Sequence, residues 1–238
     1  MKKSPTATTT LLLTWLMFLN GCSQSDTPTR EPRFICFTIN DRELLPKVSE
    51  IASRIASTSV VPGDRLLVID SERRTLLDST VREPELFEPL SDIRRLYRRE
   101  IENEISSIEP SAIGVGEGNQ NQFGQGHLLL HLEREFSDLS LSNKIVIMVS
   151  DGFDSYPSLH KEDLAIYGAV EVVDDLAHRN LIPDLNGFRI FRTGPVSSDI
   201  NLSRIYDQFW DALFQQAQAK EVRFIGWESI TTELIENI

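Results

Sequence analysis

The chain is poor in cysteine: Cys22 and Cys36 are the only two in 238 residues. Two thiols cannot make the multi-bridge framework of a small disulfide-rich fold, so a hydrophobic core must hold this one. Long apolar runs are missing too. The longest, Leu11–Leu19, is interrupted by Thr14, and a membrane-spanning helix needs about 20 apolar residues. Cations are scarce: 24 Lys and Arg face 36 Asp and Glu, a formal charge of −12. That balance excludes a nucleic-acid partner and argues against electrostatic adhesion to anionic lipid. Neither internal repeats nor low-complexity tracts occur. A Gly-x-Ser-x-Gly nucleophile elbow is absent, as is any Cys/His pair with an orienting acid. No motif locates a nucleophile, and a non-enzymatic protein is expected.

What is present begins with a leader. Lys2 and Lys3 precede the short apolar run, and Gly21 stands before Cys22, the layout of a signal peptide over 1–21. The ending Leu19-Asn20-Gly21-Cys22 resembles the bacterial lipobox, which implies acylation of Cys22 and attachment to a membrane through lipid. Ser23 in the following position would direct a Gram-negative lipoprotein to the outer membrane, where it would sit on the periplasmic face or the cell surface. Loss of the leader takes the formal charge from −12 to −14. Residues 22–32 are polar, carry two prolines and read as a flexible tether. Cys36 is then alone inside an apolar run, and is expected to be a small core residue.

The remaining 206 residues, 33–238, suffice for one domain with a substantial core. Apolar, β-branched runs at 33–39, 65–70, 75–81, 144–150, 187–193 and 221–226 read as strands. Helical spacing fills 43–58, 92–108, a segment around 128–136, 163–179 and 203–219. Only four residues separate the second and third strands, too few for a parallel crossover, so that pair forms an antiparallel hairpin. The fold class is therefore α/β: a Rossmann-like three-layer sandwich with a mostly parallel six-stranded sheet and one antiparallel strand. In such sheets ligands bind beyond the carboxyl ends of the strands.

The opening strand–helix pair, the hairpin and the late strand ending Val149-Ser150-Asp151-Gly152 together resemble a von Willebrand factor A-like (vWA) domain over roughly 33–228. That resemblance implies a metal-ion-dependent adhesion site, with an Asp-x-Ser-x-Ser motif after the first strand, a middle-loop threonine and a late aspartate. A hard divalent cation such as Mg²⁺ needs such oxygen ligands. Here the first motif falls on Thr38-Ile39-Asn40-Asp41-Arg42. Thr38 replaces the aspartate, Asn40 the first serine and Arg42 the second. Gln125 is the nearest polar residue to the middle-loop position, and only Asp151 matches cleanly. Asp41 and Asp154 are the other carboxylates near these positions. Arg42 would set a positive charge where the cation belongs, so the expectation is a degenerate site without a cofactor, Mg²⁺ being the one candidate.

Three other constellations are weaker. His127, His131 and Glu135 share a helix face, yet the Glu of a His-Glu-x-x-His pair is missing, and a solvated face is expected. Gly114-Val115-Gly116-Glu117-Gly118 follows a helix rather than a strand, and Glu117 would repel phosphate. Phe209, Trp210 and Phe214 lie at helical spacing and read as core. The sequence thus points to a lipid-anchored vWA-like module that binds an unidentified envelope protein through Thr38, Asn40, Asp41, Gln125 and Asp151. An envelope hydrolase on an open α/β sheet, or a structural lipoprotein with a vestigial site, are the alternatives.

Overall fold

Arg33–Ile39 and Asn143–Val149 are apolar runs that become the two central strands of a sheet. The computed structural model describes residues 30–39, 44–70, 73–108, 125–136, 141–149, 161–193, 200–226, 229–230 and 232. In chain order these give β1 (Arg33–Ile39), α1 (Leu45–Thr58), β2 (Arg65–Asp70), β3 (Thr75–Thr80) and α2 (Leu90–Ser107). There follow α3 (Gln125–Phe136), β4 (Asn143–Val149), α4 (Lys161–Tyr167), α5 (Ala169–His178), β5 (Phe188–Thr193), α6 (Ile200–Gln216) and β6 (Glu221–Phe224). Clustering of backbone contacts groups Glu31–Ile238 as one unit.

The sheet has six strands in the order β3-β2-β1-β4-β5-β6. Every pairing is parallel except β2 with β3, so the short link does fold as a hairpin. This is the α/β arrangement expected from the strand pattern, and its antiparallel strand lies at one edge. Side chains alternate across the pleat and build two cores. Ile35, Phe37, Ile39, Val68, Ile147 and Val149 face the layer that holds α1 and α2. Phe34, Cys36, Ile69, Val146, Met148 and Ile190 face α3, α5 and α6, with Phe209, Trp210 and Phe214 packed among them. The aromatic trio is core, as its spacing predicted.

Two differences from the sequence reading have local causes. The helix expected over 163–179 is two helices, because Gly168 has φ +84 and forms the boundary of α5. Leu96, one of the apolar residues at helical spacing within 92–108, is 45% exposed, whereas Ile93, Tyr97, Ile101 and Ile105 are buried. The helix docks through a narrower stripe, held by the Tyr97 hydroxyl donating to the carbonyl of Ser79 on β3 at 3.1 Å.

The opening of β1 is locked by charge. Arg33 is 0% exposed and Asp64 2%. One Asp64 oxygen accepts from the Arg33 backbone N–H at 2.7 Å, and the other from the guanidinium at 2.7 and 3.2 Å. The Arg33 side chain also donates to the carbonyl of Ser59 at 2.9 Å. Beside it the chain passes so close to Gly63 (φ +84) that an added Cβ would lie 2.9 Å from Pro32 Cγ, so this position needs glycine on both grounds.

Candidate functional site

The parallel pairing of β1 with β4 sets Ile39 opposite Val149, and the flanking pairings add Asp70 and Thr193 in the same row. The carboxyl ends of four adjacent strands therefore open on one rim. Ile39 and Val149, the last residues of β1 and β4, stand side by side at that rim. Thr38 is the penultimate residue of β1, 0% exposed, in register with Ile69 and Met148. Those neighbours belong to the core that faces α3, α5 and α6, so the threonine sits inside the strand on that face. Asn40, Asp41 and Asp151 lie outside the described residues. So do Cys22, Arg42, Asp154 and Gly114–Gly118. Gln125 and His127 fall in the first turn of α3, but their side chains lie outside what the structure describes.

Three rim residues that the sequence reading did not single out are polar and buried. Asp70 is 1% exposed and shapes the hairpin turn. Its carboxylate accepts from the Arg74 backbone N–H at 2.9 Å and from Arg74 Nε at 2.8 Å, while Arg73 turns the chain at φ +63. Thr193 is 1% exposed, and its hydroxyl oxygen has no hydrogen-bond partner among the described residues. Arg192, 7% exposed, donates to Asp207 on α6 at 3.2 Å and lies over the rings of Trp210 and Phe224. Arg192 aligns with Met148, and Met148 with Thr38, so a buried guanidinium shares the threonine's face two strands away. The signal available for these residues was their position as the last one or two residues of predicted strands.

The described rim residues do not by themselves make a divalent-cation shell. Among the described rim residues, the oxygens are the neutral hydroxyls of Thr38 and Thr193 and a carboxylate, Asp70, already occupied by Arg74. A Mg²⁺ ion takes oxygen ligands in octahedral array, usually one or two carboxylates with water. Among the described residues no three His, Cys, Asp or Glu side chains group closely enough to hold a metal ion. His131 lies partly buried on α3. Burial lowers its pKa first, with Arg73 and Arg134 acting the same way and Glu135 opposing. Cys36 is fully buried, and desolvation pushes its thiol far above the usual range. It is an inert core group.

Among the described residues, no helix is long and apolar enough to cross a membrane. No protein-family model matches the chain, and no curated protein matches it in sequence. Among solved structures, it is similar to an aerotolerance-related membrane protein from Bacteroides fragilis carrying multiple mutations to serines. Identity is 13% over 87% of this chain and 98% of that one, with a TM-score of 0.44. It is also similar to manganese-loaded TRAP protein from Plasmodium vivax, at 13% identity over 86% of this chain and 72% of that one, with a TM-score of 0.43. At these values neither likeness bears on function, and the architecture rests on the strand order and register of this sheet.

Proposed function

We propose that the chain is a lipid-anchored, vWA-like module of the bacterial cell envelope, which binds a protein partner at the rim where β1 and β4 end and performs no catalysis. The observation that carries this reading is the row Asp70, Ile39, Val149 and Thr193 at one edge of the sheet. A mainly parallel sheet offers its binding crevice at that edge. The residues expected to contact the partner are Asn40, Asp41, Gln125 and Asp151, with Thr38 buried in β1 beneath them. Cys22, acylated, would hold the domain to the membrane through the 22–32 tether.

In this reading the binding needs no metal: Arg42 would place a positive charge where the motif's cation belongs. Two measurements test the proposal. Mass spectrometry of the mature N-terminal peptide should find acylated Cys22, and an unmodified peptide that still begins with the leader would contradict the anchor. Partner capture from envelope extract by the full chain should be equal in magnesium and in chelator. Capture that needs magnesium, and is lost in Asp151→Ala, would overturn the metal-free reading.

A further inference from the structure

The loop between β3 and α2 holds the two most exposed large apolar side chains among the described residues. Leu86 is 85% exposed and Phe87 93%. Phe87 has φ +68, a left-handed conformation that a bulky L-residue adopts only under constraint. The constraint is visible. Arg82 donates through both guanidinium NH₂ groups to the two oxygens of Glu88, at 2.7 and 2.5 Å. Glu88 accepts from the Glu85 backbone N–H at 3.0 Å and donates its own N–H to the Glu85 carbonyl at 3.0 Å. Pro84 and Pro89 restrict the flanks. A turn is thus clamped so that a leucine and a phenylalanine stand in water.

Its place on the fold indicates what covers it. The Val81 N–H donates to the carbonyl of Asp64 at 2.8 Å, and the Gly63 N–H donates to the carbonyl of Val81 at 2.9 Å. Asp64 in turn holds the backbone N–H of Arg33. The loop therefore departs from the end of the sheet where β1 begins, two strand spacings or about 10 Å from Arg33. Ten residues, 23–32, link this end to Cys22, a reach of at most roughly 35 Å.

We propose that Leu86 and Phe87 form a lipid-contacting tip that rests at the headgroup–acyl boundary of the membrane carrying the anchor. This rests on the anchored reading of Cys22. Two apolar side chains are too few to bind a membrane from solution. On a short tether the second contact is intramolecular, and weak insertion suffices to orient the domain. The strand-end rim then points away from the bilayer, toward a partner. Exposed Glu83 and Glu85 flank the tip, which keeps insertion shallow and favours zwitterionic over anionic lipid.

The test uses the full chain, expressed with its leader in a bacterial host and mixed with vesicles of phosphatidylethanolamine and phosphatidylcholine, with a polarity-sensitive fluorophore on Glu85→Cys or, as control, on Leu96→Cys. The chain should float with the vesicles. The position-85 label should be blue-shifted and quenched by acyl-chain quenchers far more than the position-96 label. Leu86→Ser with Phe87→Ser should abolish that difference, and phosphatidylglycerol should weaken it. Phe87→Gly should also abolish it while raising the melting temperature, since glycine accepts positive φ. Flotation with equal quenching at the two positions, or quenching that survives the double serine change, overturns the tip and leaves the anchor standing. A chain that fails to float overturns the anchor, and the tip with it. A label unshifted in vesicles but shielded in native envelope membranes assigns the tip to a protein and overturns the lipid reading.

Discussion

Arg33 shows how one residue can carry more than its place in a pattern reveals. In the sequence it opens an apolar run and contributes only to a strand. In the fold its guanidinium is fully buried and fastens the start of β1 to Asp64 and to the end of α1 at Ser59. Asp64 also accepts from the Val61 N–H at 3.1 Å, so its carboxylate organises the whole approach to β2. Removing one partner of a buried pair leaves the other charge uncompensated, which costs about 3–5 kcal/mol. Asp64→Ala should therefore destabilise the domain by about that amount in urea unfolding. A loss below about 1 kcal/mol would mean that the pair is solvated, as surface pairs are.

At the scale of elements, the most informative feature is the break between α4 and α5. Gly168 caps α5 at φ +84, and a Cβ there would meet nothing within 4 Å. Gly168→Ala is thus a clean probe of backbone strain, and it should cost about 1–2 kcal/mol. An unchanged urea midpoint would show that the two helices can fuse without loss. The break was not legible, because Leu164, Val172, Val173 and Leu176 keep helical spacing across it and a lone glycine is tolerated within many helices. The strands were legible because each is a short apolar, β-branched run, and the hairpin because four residues cannot cross over. The rim was legible only as adjacency: parallel order sets the ends of β1 and β4 side by side. That Arg192 is buried there depends on contacts with Asp207 and Trp210 on α6, which no local pattern encodes. Leu86-Phe87, between two prolines, has no periodicity to read.

For the whole molecule, ionisation sets the working range. The His131 pKa is depressed below its usual 6.5, first by burial. The unfolded state then binds its proton more readily, so this contribution is present above pH 6.5 and is lost as pH falls below it. Glu221 is held below its usual 4.5, since hydrogen bonds and charge from Arg189 and Arg223 outweigh the opposing desolvation. Its contribution is present above 4.5 and is lost as pH falls through the lower folded value. Glu104 runs the other way, raised first by desolvation and then by Glu100 and Asp78, which offsets part of the loss just above 4.5. Urea midpoints should be level above about pH 6.5 and fall in two stages on acidification. A midpoint that rises steadily from pH 7 to pH 4 would contradict these assignments.

Under the proposed function, the Leu86–Phe87 tip lies at the end of the sheet where β1 begins, and Ile39 and Val149 end their strands at the opposite rim. In-cell photocrosslinking from position 40 against position 96 tests this most directly. Position 40 is the next residue in the chain after β1, and Leu96 is an exposed site on α2. One discrete protein adduct from position 40, absent from position 96 and lost in Asp151→Ala, is the expected result. Adducts from position 96 with none from position 40 would place the partner on a helix face, and the rim would not be the binding site.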